Sequence, residues 1–87
     1  MATLTETLAE RGELYGDFSG HAKLSQSIKG VIEGGRSYPK LNSSQREALE
    51  MIAHKIARII NGDPNYVDSW VDICGYSQLI VDQLKNG

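Results

Sequence analysis

Apolar residues recur along nearly the whole chain with the period of an α-helix, and no stretch alternates apolar and polar residues for long enough to form a strand. Glycine-containing breaks at Gly16, at Gly34-Gly35 and at residues 61–64 interrupt this pattern. The spacing therefore predicts four helices, over about residues 3–14, 19–33, 44–61 and 66–85. We expect an all-α fold in which these helices form two successive hairpins.

The length of the chain favours one domain that cannot bury all of its apolar surface alone. Eighty-seven residues suffice for a single domain over residues 1–87. A chain this short buries only about 60–65% of the surface that its unfolded form exposes. Gly75 and Leu79 lie on a second face of the last helix, which one pair of hairpins cannot cover. We therefore expect a homodimer or a homotetramer, because small cores often recruit further copies.

Charge and hydropathy exclude several classes of partner. Nine Lys and Arg against eleven Asp and Glu give a net charge of −2, which argues against nucleic-acid binding. No apolar run approaches the roughly 20 residues that cross a bilayer, so we expect no membrane partner. The first residues lack the apolar segment of a signal peptide, and the single Cys74 cannot form an intrachain disulfide. These features predict a cytoplasmic protein.

The last two predicted helices each separate into an apolar and an acidic face when successive residues are placed about 100° apart. In the helix over 44–61 the apolar stripe consists of Leu49, Ile52, Ala53, Ile56, Ile59 and Ile60. The opposite face carries Glu47, Glu50, His54 and Arg58. In the helix over 66–85, Asp68 and Asp72 lie opposite a stripe of Trp70, Ile73, Cys74, Ile80, Val81 and Leu84. We expect both stripes, Cys74 included, to be buried.

Two interpretations of the four carboxylates are open from the spacing alone. Glu47 follows Ser44 by three residues and Asp68 follows Asn65 by three, so both could serve helix starts, where the helix dipole favours acids. Glu50 and Asp72 lie inside their helices and could face solvent. Alternatively, each helix places two carboxylates on one side, and two such helices could hold Mg²⁺ through hard oxygen ligands.

The acidic motifs also carry a family resemblance. Glu47-Ala48-Leu49-Glu50 followed by Asp68-Ser69-Trp70-Val71-Asp72 is similar to the ExxE…ExxD signature of the MazG-like all-α nucleoside triphosphate pyrophosphohydrolases. Ser69 stands where the signature has its second Glu, so Asp68 would have to substitute for it. Residues 11–18, 45–59 and 72–76 resemble small phage and prophage members that are described as dATP/dGTP diphosphohydrolases.

The resemblance implies a Mg²⁺-dependent enzyme, with Mn²⁺ as a possible substitute, in the bacterial host cytoplasm if the chain is phage-encoded. It would cleave a purine (d)NTP, dGTP or dATP, between the α- and β-phosphates to give a (d)NMP and pyrophosphate. The implied metal ligands are Glu47, Glu50, Asp68 and Asp72. Catalysis would fall to Glu50, which orients or deprotonates the attacking water, together with Glu47 and Asp72.

Four further residues are candidates for binding the substrate. His54 lies on the acidic face and Lys55 at its edge, while Arg11 and Tyr15 lie at the end of the first helix. Each also has an ordinary structural interpretation, as a packing residue or a solvated charge. The rival function is a non-catalytic helical oligomer that binds a nucleotide or a partner protein as a sponge or regulator, and a purely structural oligomer is a third possibility.

Overall fold

The structure, a computed structural model, describes residues 3–87. These residues form four α-helices and one short 3₁₀ turn and contain no strand: α1 (Leu4–Tyr15), α2 (Phe18–Glu33), the 3₁₀ turn (Tyr38–Lys40), α3 (Ser43–Asn61) and α4 (Val67–Asn86). The all-α prediction is confirmed, and every helix begins and ends within one residue of its predicted position. None of these helices is long and apolar enough to cross a membrane.

The helix starts explain part of the acidic pattern and correct another part. At α1, the Thr3 hydroxyl accepts a hydrogen bond from the Glu6 backbone N–H, and the Glu6 carboxylate accepts one from Thr3, as the spacing suggests. At α3 the reciprocal pair is Asn42 with Gln45, two residues earlier than the expected Ser44 and Glu47. Glu47 is therefore not a capping residue.

At α4 the cap is Tyr66, which makes no side-chain capping hydrogen bond, so Asn65 does not begin this helix as expected. Asp68 lies in the first turn, where the helix dipole favours a negative charge. Its carboxylate also accepts a hydrogen bond of 2.9 Å from the Tyr66 hydroxyl. Asp68 thus has a local structural role.

The helices are arranged as a layer with α3 in the middle. α3 packs against α4 and α2 over long stretches and against α1 over a short one, whereas α2 and α4 do not pack appreciably on each other. α3 and α4 form a hairpin as expected. The main neighbour of α2 is α3 rather than α1, so the first predicted hairpin is only a minor contact. The middle helix therefore has two flanks covered by neighbours and two sides left for other contacts.

The buried residues are small, and the predicted apolar stripes lie largely outside the chain's own core. The buried apolar residues are Ala48, Ala53, Ala57 and Ile59, and no large side chain among residues 3–87 is completely buried. The exposed members of the predicted stripes are Leu49, Ile56, Ile60, Trp70, Cys74, Val81 and Leu84. The expectation that these side chains fill the core is wrong for the single chain. Close approach of helices over alanines leaves no room for large side chains between them.

The rotation of α4 explains why Cys74 is exposed. Ser69 is buried, and Asp72, Ile73 and Tyr76 are half-buried, so this side of α4 faces α3. Trp70 lies on the outside, where its indole N–H donates a hydrogen bond of 2.9 Å to the Pro64 carbonyl. The apolar side chains predicted for α4 therefore do lie along one side of the helix, but most of them point away from α3.

A hydrogen-bonded clip joins the α1–α2 junction to the end of α3. The Asn61 side-chain amide donates to the backbone carbonyls of Tyr15 and Asp17, each at 2.9 Å. The Asp63 backbone N–H donates to the Leu14 carbonyl at 2.7 Å. These bonds hold the junction against the last turn of α3.

Two glycines make this close approach possible. Gly16 has a φ of 78°, and a Cβ there would lie 2.1 Å from the Asn61 carbonyl oxygen. A Cβ at Gly62 would lie 2.2 Å from the Leu14 carbonyl oxygen. Two of the three glycine-containing breaks in the sequence, at Gly16 and at residues 61–64, therefore meet in space.

Candidate functional site

The polar face of α3 lies between its two flanking helices. Glu47, Glu50, His54 and Arg58 follow one another on this face at intervals of three or four residues. On one flank, the His54 ring contacts the ring of His21 from α2, with 4.5 Å between centroids. On the other flank, Lys55 contacts Asp72 from α4. The face therefore lies between a contact with α2 and a contact with α4, and we call it the α3 groove.

The ion pair between Lys55 and Asp72 joins two residues that the sequence placed in the site. The Lys55 ammonium lies 2.9 Å from the Asp72 carboxylate, and the two side chains are 12% and 44% exposed. Lys55 is therefore largely enclosed, whereas Asp72 keeps an open side. An ammonium at this distance offsets the negative charge that Asp72 would offer a cation.

The other three predicted metal ligands are dispersed. Glu50 is half-buried on the floor of the groove, while Glu47 and Asp68 are exposed. Asp68 points toward Tyr66, and Ser69, which occupies the signature position, is the residue buried on the α3 side. The two positions differ by one residue, which is about 100° around the helix. Asp68 therefore does not take the place of the signature Glu in this chain.

The described residues 3–87 do not form a complete metal site by themselves. Among residues 3–87, no three His, Cys, Asp or Glu side chains approach closely enough to hold a metal ion. The donor chemistry still suits Mg²⁺ that arrives with a triphosphate, because this ion commonly takes one or two carboxylates and completes its shell with water and phosphate oxygens. Glu50 and Asp72 are the half-buried acids along the groove, whereas Glu47 is exposed.

One end of the α3 groove is closed by α1 and forms a cavity of about 400 Å³. We call it the α1 cavity. The side chains that give it its chemistry are Arg11, Tyr15, Phe18, His21, His54 and Arg58. Three of the four predicted substrate-binding residues, Arg11, Tyr15 and His54, thus meet in one place. The fourth, Lys55, lies on the flank toward α4.

Aromatic contacts fix the side chains around the cavity. The Arg58 guanidinium lies over the Tyr15 ring, 4.2 Å from its centroid. Tyr15 also meets the ring of Tyr66 edge-on, with centroids 5.9 Å apart. Phe18 lies beside His21, with 6.1 Å between ring centroids. The walls are therefore flat rings and a flat guanidinium, which suit a planar ligand.

Both histidines of the cavity are neutral at pH 7. Burial, followed by the positive charge of Arg58, lowers the pKa of His54 to about 4. Burial and the same arginine also lower the pKa of His21. His21 is 6% exposed, and its Nδ1 has no hydrogen-bond partner among the described residues. A neutral imidazole offers one donor and one acceptor to a neighbour.

Sequence reasoning missed two of these residues. The spacing places Arg58 on the polar face without a role, and it does not single out His21. A signal for His21 existed, because His21, Ser25 and Ile28 follow at i, i+4 and i+7 and the structure buries the first two. No spacing rule could have shown that His21 meets His54, since the contact depends on how α2 packs on α3.

The fold and the groove define a small all-α domain with a polar groove along its central helix. The chain belongs to the family described as "Domain of unknown function (DUF6378)", which matches residues 3–83. No curated protein and no solved structure matches the chain significantly. The family description names no activity, so the function has to be inferred from the groove itself.

Proposed function

We propose that this chain is a Mg²⁺-dependent nucleotide pyrophosphohydrolase that cleaves a purine (d)NTP to a (d)NMP and pyrophosphate. The observation that supports this most directly is the α3 groove. His54 and Arg58 line a cavity with two arginines and aromatic walls, and Glu50 and the Lys55–Asp72 pair follow toward the start of the same helix. A nucleotide has the same two parts, a planar base and a polyanionic tail.

The length of the groove supports this assignment. Arg58 and Glu50 are eight residues apart on one face of α3, which is about 12 Å at the rise of an α-helix. A base at the Arg58 end would therefore direct its phosphates toward Glu50 and the Lys55–Asp72 pair. A volume of about 400 Å³ lies within the range of small-molecule sites.

The chain's own residues would divide the chemistry between them. Glu50 would orient the attacking water or accept its proton, as the resemblance implies. Lys55 would exchange its contact with Asp72 for a phosphate oxygen, which would free the Asp72 carboxylate. Bound Mg²⁺, or Mn²⁺, would neutralise triphosphate charge and polarise the phosphorus under attack. Glu47 and Asp68, which are exposed, would join the ligand set only if they moved toward Glu50 and Asp72 when the nucleotide binds.

Self-association is the second part of the proposal. The chain exposes 6281 Å², about 1,200 Å² more than the roughly 5,100 Å² of a compact monomer of 9.6 kDa. The side of α3 opposite the groove carries Leu49, Ile56 and Ile60, which are 37%, 36% and 58% exposed. A standard protein interface buries about 800 Å² on each partner. We propose that a second copy covers this apolar side in a homodimer or homotetramer.

The test is a product screen. The purified chain is incubated with each of the eight common NTPs and dNTPs in millimolar Mg²⁺, and the products are separated by chromatography. We expect a nucleoside monophosphate and pyrophosphate from at least one purine substrate, and no products in EDTA. The release of inorganic phosphate instead of pyrophosphate would refute the cleavage between the α- and β-phosphates.

A non-catalytic nucleotide binder is the second candidate. It is favoured by the ion pair that occupies Asp72 and by the lack of a three-acid cluster within residues 3–87. Binding measured by calorimetry without any pyrophosphate release would support this candidate and refute the enzyme.

A further inference from the structure

Three nitrogen-bearing side chains that make no ion pair or side-chain hydrogen bond within residues 3–87 line the α1 cavity, and one of them is buried. His21 is buried with an unpartnered Nδ1. Arg58 is half-buried and makes no ion pair or side-chain hydrogen bond within residues 3–87, its one recorded partner being the Tyr15 ring. Arg11 likewise has no ion pair in the described part of the chain. A buried polar atom normally has a partner, so the unpartnered Nδ1 of His21 indicates that a ligand supplies one. Arg58 and the exposed Arg11 can offer further donors to the same ligand.

We infer that the α1 cavity recognises the purine base and that Arg58 makes it prefer guanine to adenine. The inference rests on the proposed function and names the substrate within the purine class. Arg58 can only donate hydrogen bonds, and stacking on Tyr15 holds its plane in one orientation.

The edges of the two purines differ where such a donor would meet them. Guanine presents two adjacent acceptors, O6 and N7, which match the two parallel N–H groups of a guanidinium. Adenine presents its N6 amine beside N7, so one guanidinium N–H would face another hydrogen-bond donor instead of an acceptor. A bidentate match of this kind distinguishes bases by roughly tenfold or more.

The other walls fit the same ligand. Phe18 offers an exposed ring face against which a base can stack, whereas Arg58 already covers one face of Tyr15. His21 and His54 are uncharged at pH 7, and each can donate or accept one hydrogen bond. The cavity therefore keeps its fixed positive charge on Arg11 and Arg58, with Asp17 as the acidic residue among its lining. Asp17 is already engaged, because its carboxylate accepts the Gly20 backbone N–H at 2.8 Å.

The experiment compares kcat/KM for dGTP, dITP and dATP in the wild type, Arg58→Lys and Arg46→Lys. Hypoxanthine keeps O6 and N7 but lacks the 2-amino group, so dITP isolates the contact with Arg58. We expect the wild type to favour dGTP and dITP over dATP by at least about tenfold. Arg58→Lys should reduce both preferences to about threefold or less, because lysine keeps the charge at the end of α3 but not the planar fork.

Arg46→Lys is the matched control. Arg46 lies on the same helix, over the Tyr38 ring at 5.1 Å from its centroid, and outside the α1 cavity. This variant should keep the wild-type ratio. Thermal melts of both variants show whether they fold, and Arg58→Gln provides a second substitution if Arg58→Lys does not.

The outcomes separate the two proposals. The assignment of the base site is overturned if the wild type cleaves purine triphosphates without a preference for dGTP and dITP, or if Arg58→Lys keeps the preference. Either result leaves the proposed pyrophosphohydrolase activity supported. If the wild type neither cuts nor binds any triphosphate, the proposed function itself fails. Should the wild type bind without turnover, the same ratios measured as Kd values decide the base preference.

Discussion

Asn61 is the residue on which the shape of the α1 cavity most depends. Its amide donates to the carbonyls of Tyr15 and Asp17, residues that lie 46 and 44 positions away in the sequence. Asn61→Ala removes both donors at once. The bond to Tyr15 is partly buried, so its carbonyl would lose a partner without regaining water, whereas the Asp17 carbonyl is exposed and can be solvated.

The expected cost follows from these environments. A typical hydrogen bond contributes about 1 kcal/mol net, and a buried group left unpaired costs about 1–3 kcal/mol. We therefore expect Asn61→Ala to lower the free energy of unfolding by about 2–3 kcal/mol. For a domain of this size that corresponds to a drop in Tm of about 10–20 °C. Circular dichroism during thermal and urea unfolding measures both quantities.

Two further variants make the test specific. Asn61→Asp keeps the size of the side chain but places a carboxylate against two carbonyl oxygens, so it should cost more than Asn61→Ala. Asn65→Ala is the control, because Asn65 is exposed and its side chain makes no hydrogen bond within residues 3–87; it should stay within about 0.5 kcal/mol of the wild type. A change of less than about 0.5 kcal/mol for Asn61→Ala, or a milder effect for Asn61→Asp, would refute the clip.

Three other predictions follow from the groove and the exposed surface. Asp72→Asn should reduce pyrophosphate release by at least about a hundredfold. It should also lower the Tm measured without metal, because Lys55 loses its ion-pair partner. Full activity in this variant would falsify the assignment of Asp72. The His54 contribution to the free energy of unfolding should be constant above about pH 6.5 and should decrease as the pH falls toward 4. In this range His54 takes up a proton in the unfolded chain but stays neutral in the folded chain. After discounting for solvent screening, we expect the free energy of unfolding to fall by about 1–2 kcal/mol in the wild type and by less in His54→Gln. Urea unfolding at several pH values measures both changes. Light scattering at micromolar concentration should show a dimer or tetramer. Ile60→Glu should weaken this association by placing a charge on the apolar side of α3. A strict monomer of 9.6 kDa in the wild type would contradict the proposed association.

The positions of the helices could be predicted because they depend on local signals. Periodicity and the glycine breaks placed each helix to within one residue, and the pairing of Thr3 with Glu6 follows from their spacing. The start of α3 shows the limit of such reasoning. Asn42 with Gln45 and Ser44 with Glu47 both have capping spacing, and only the backbone conformation decides that Asn42 is the cap.

The candidate site was predictable only in part, for a related reason. Periodicity placed Glu50, His54 and Arg58 on one face of α3, and the fold keeps them there. It could not show that α2 brings His21 to His54, nor that Asp72 meets Lys55 while Asp68 turns toward Tyr66. Those contacts depend on how each neighbouring helix is rotated, and a rotation of about 100° separates one residue from the next.

The sizes of the apolar residues on α3 explain both the thin core and the proposed association. Ala53 and Ala57 are buried, so the neighbouring helices can approach closely. Ile56 and Ile60 lie on the side opposite the groove, where the described part of the chain does not cover them completely. A domain normally buries its apolar side against a second layer, and each fully buried isoleucine contributes about 1.5–3 kcal/mol. A second copy of the chain would supply that layer while leaving the α3 groove open, so the proposed association and the proposed nucleotide site use opposite sides of the same helix.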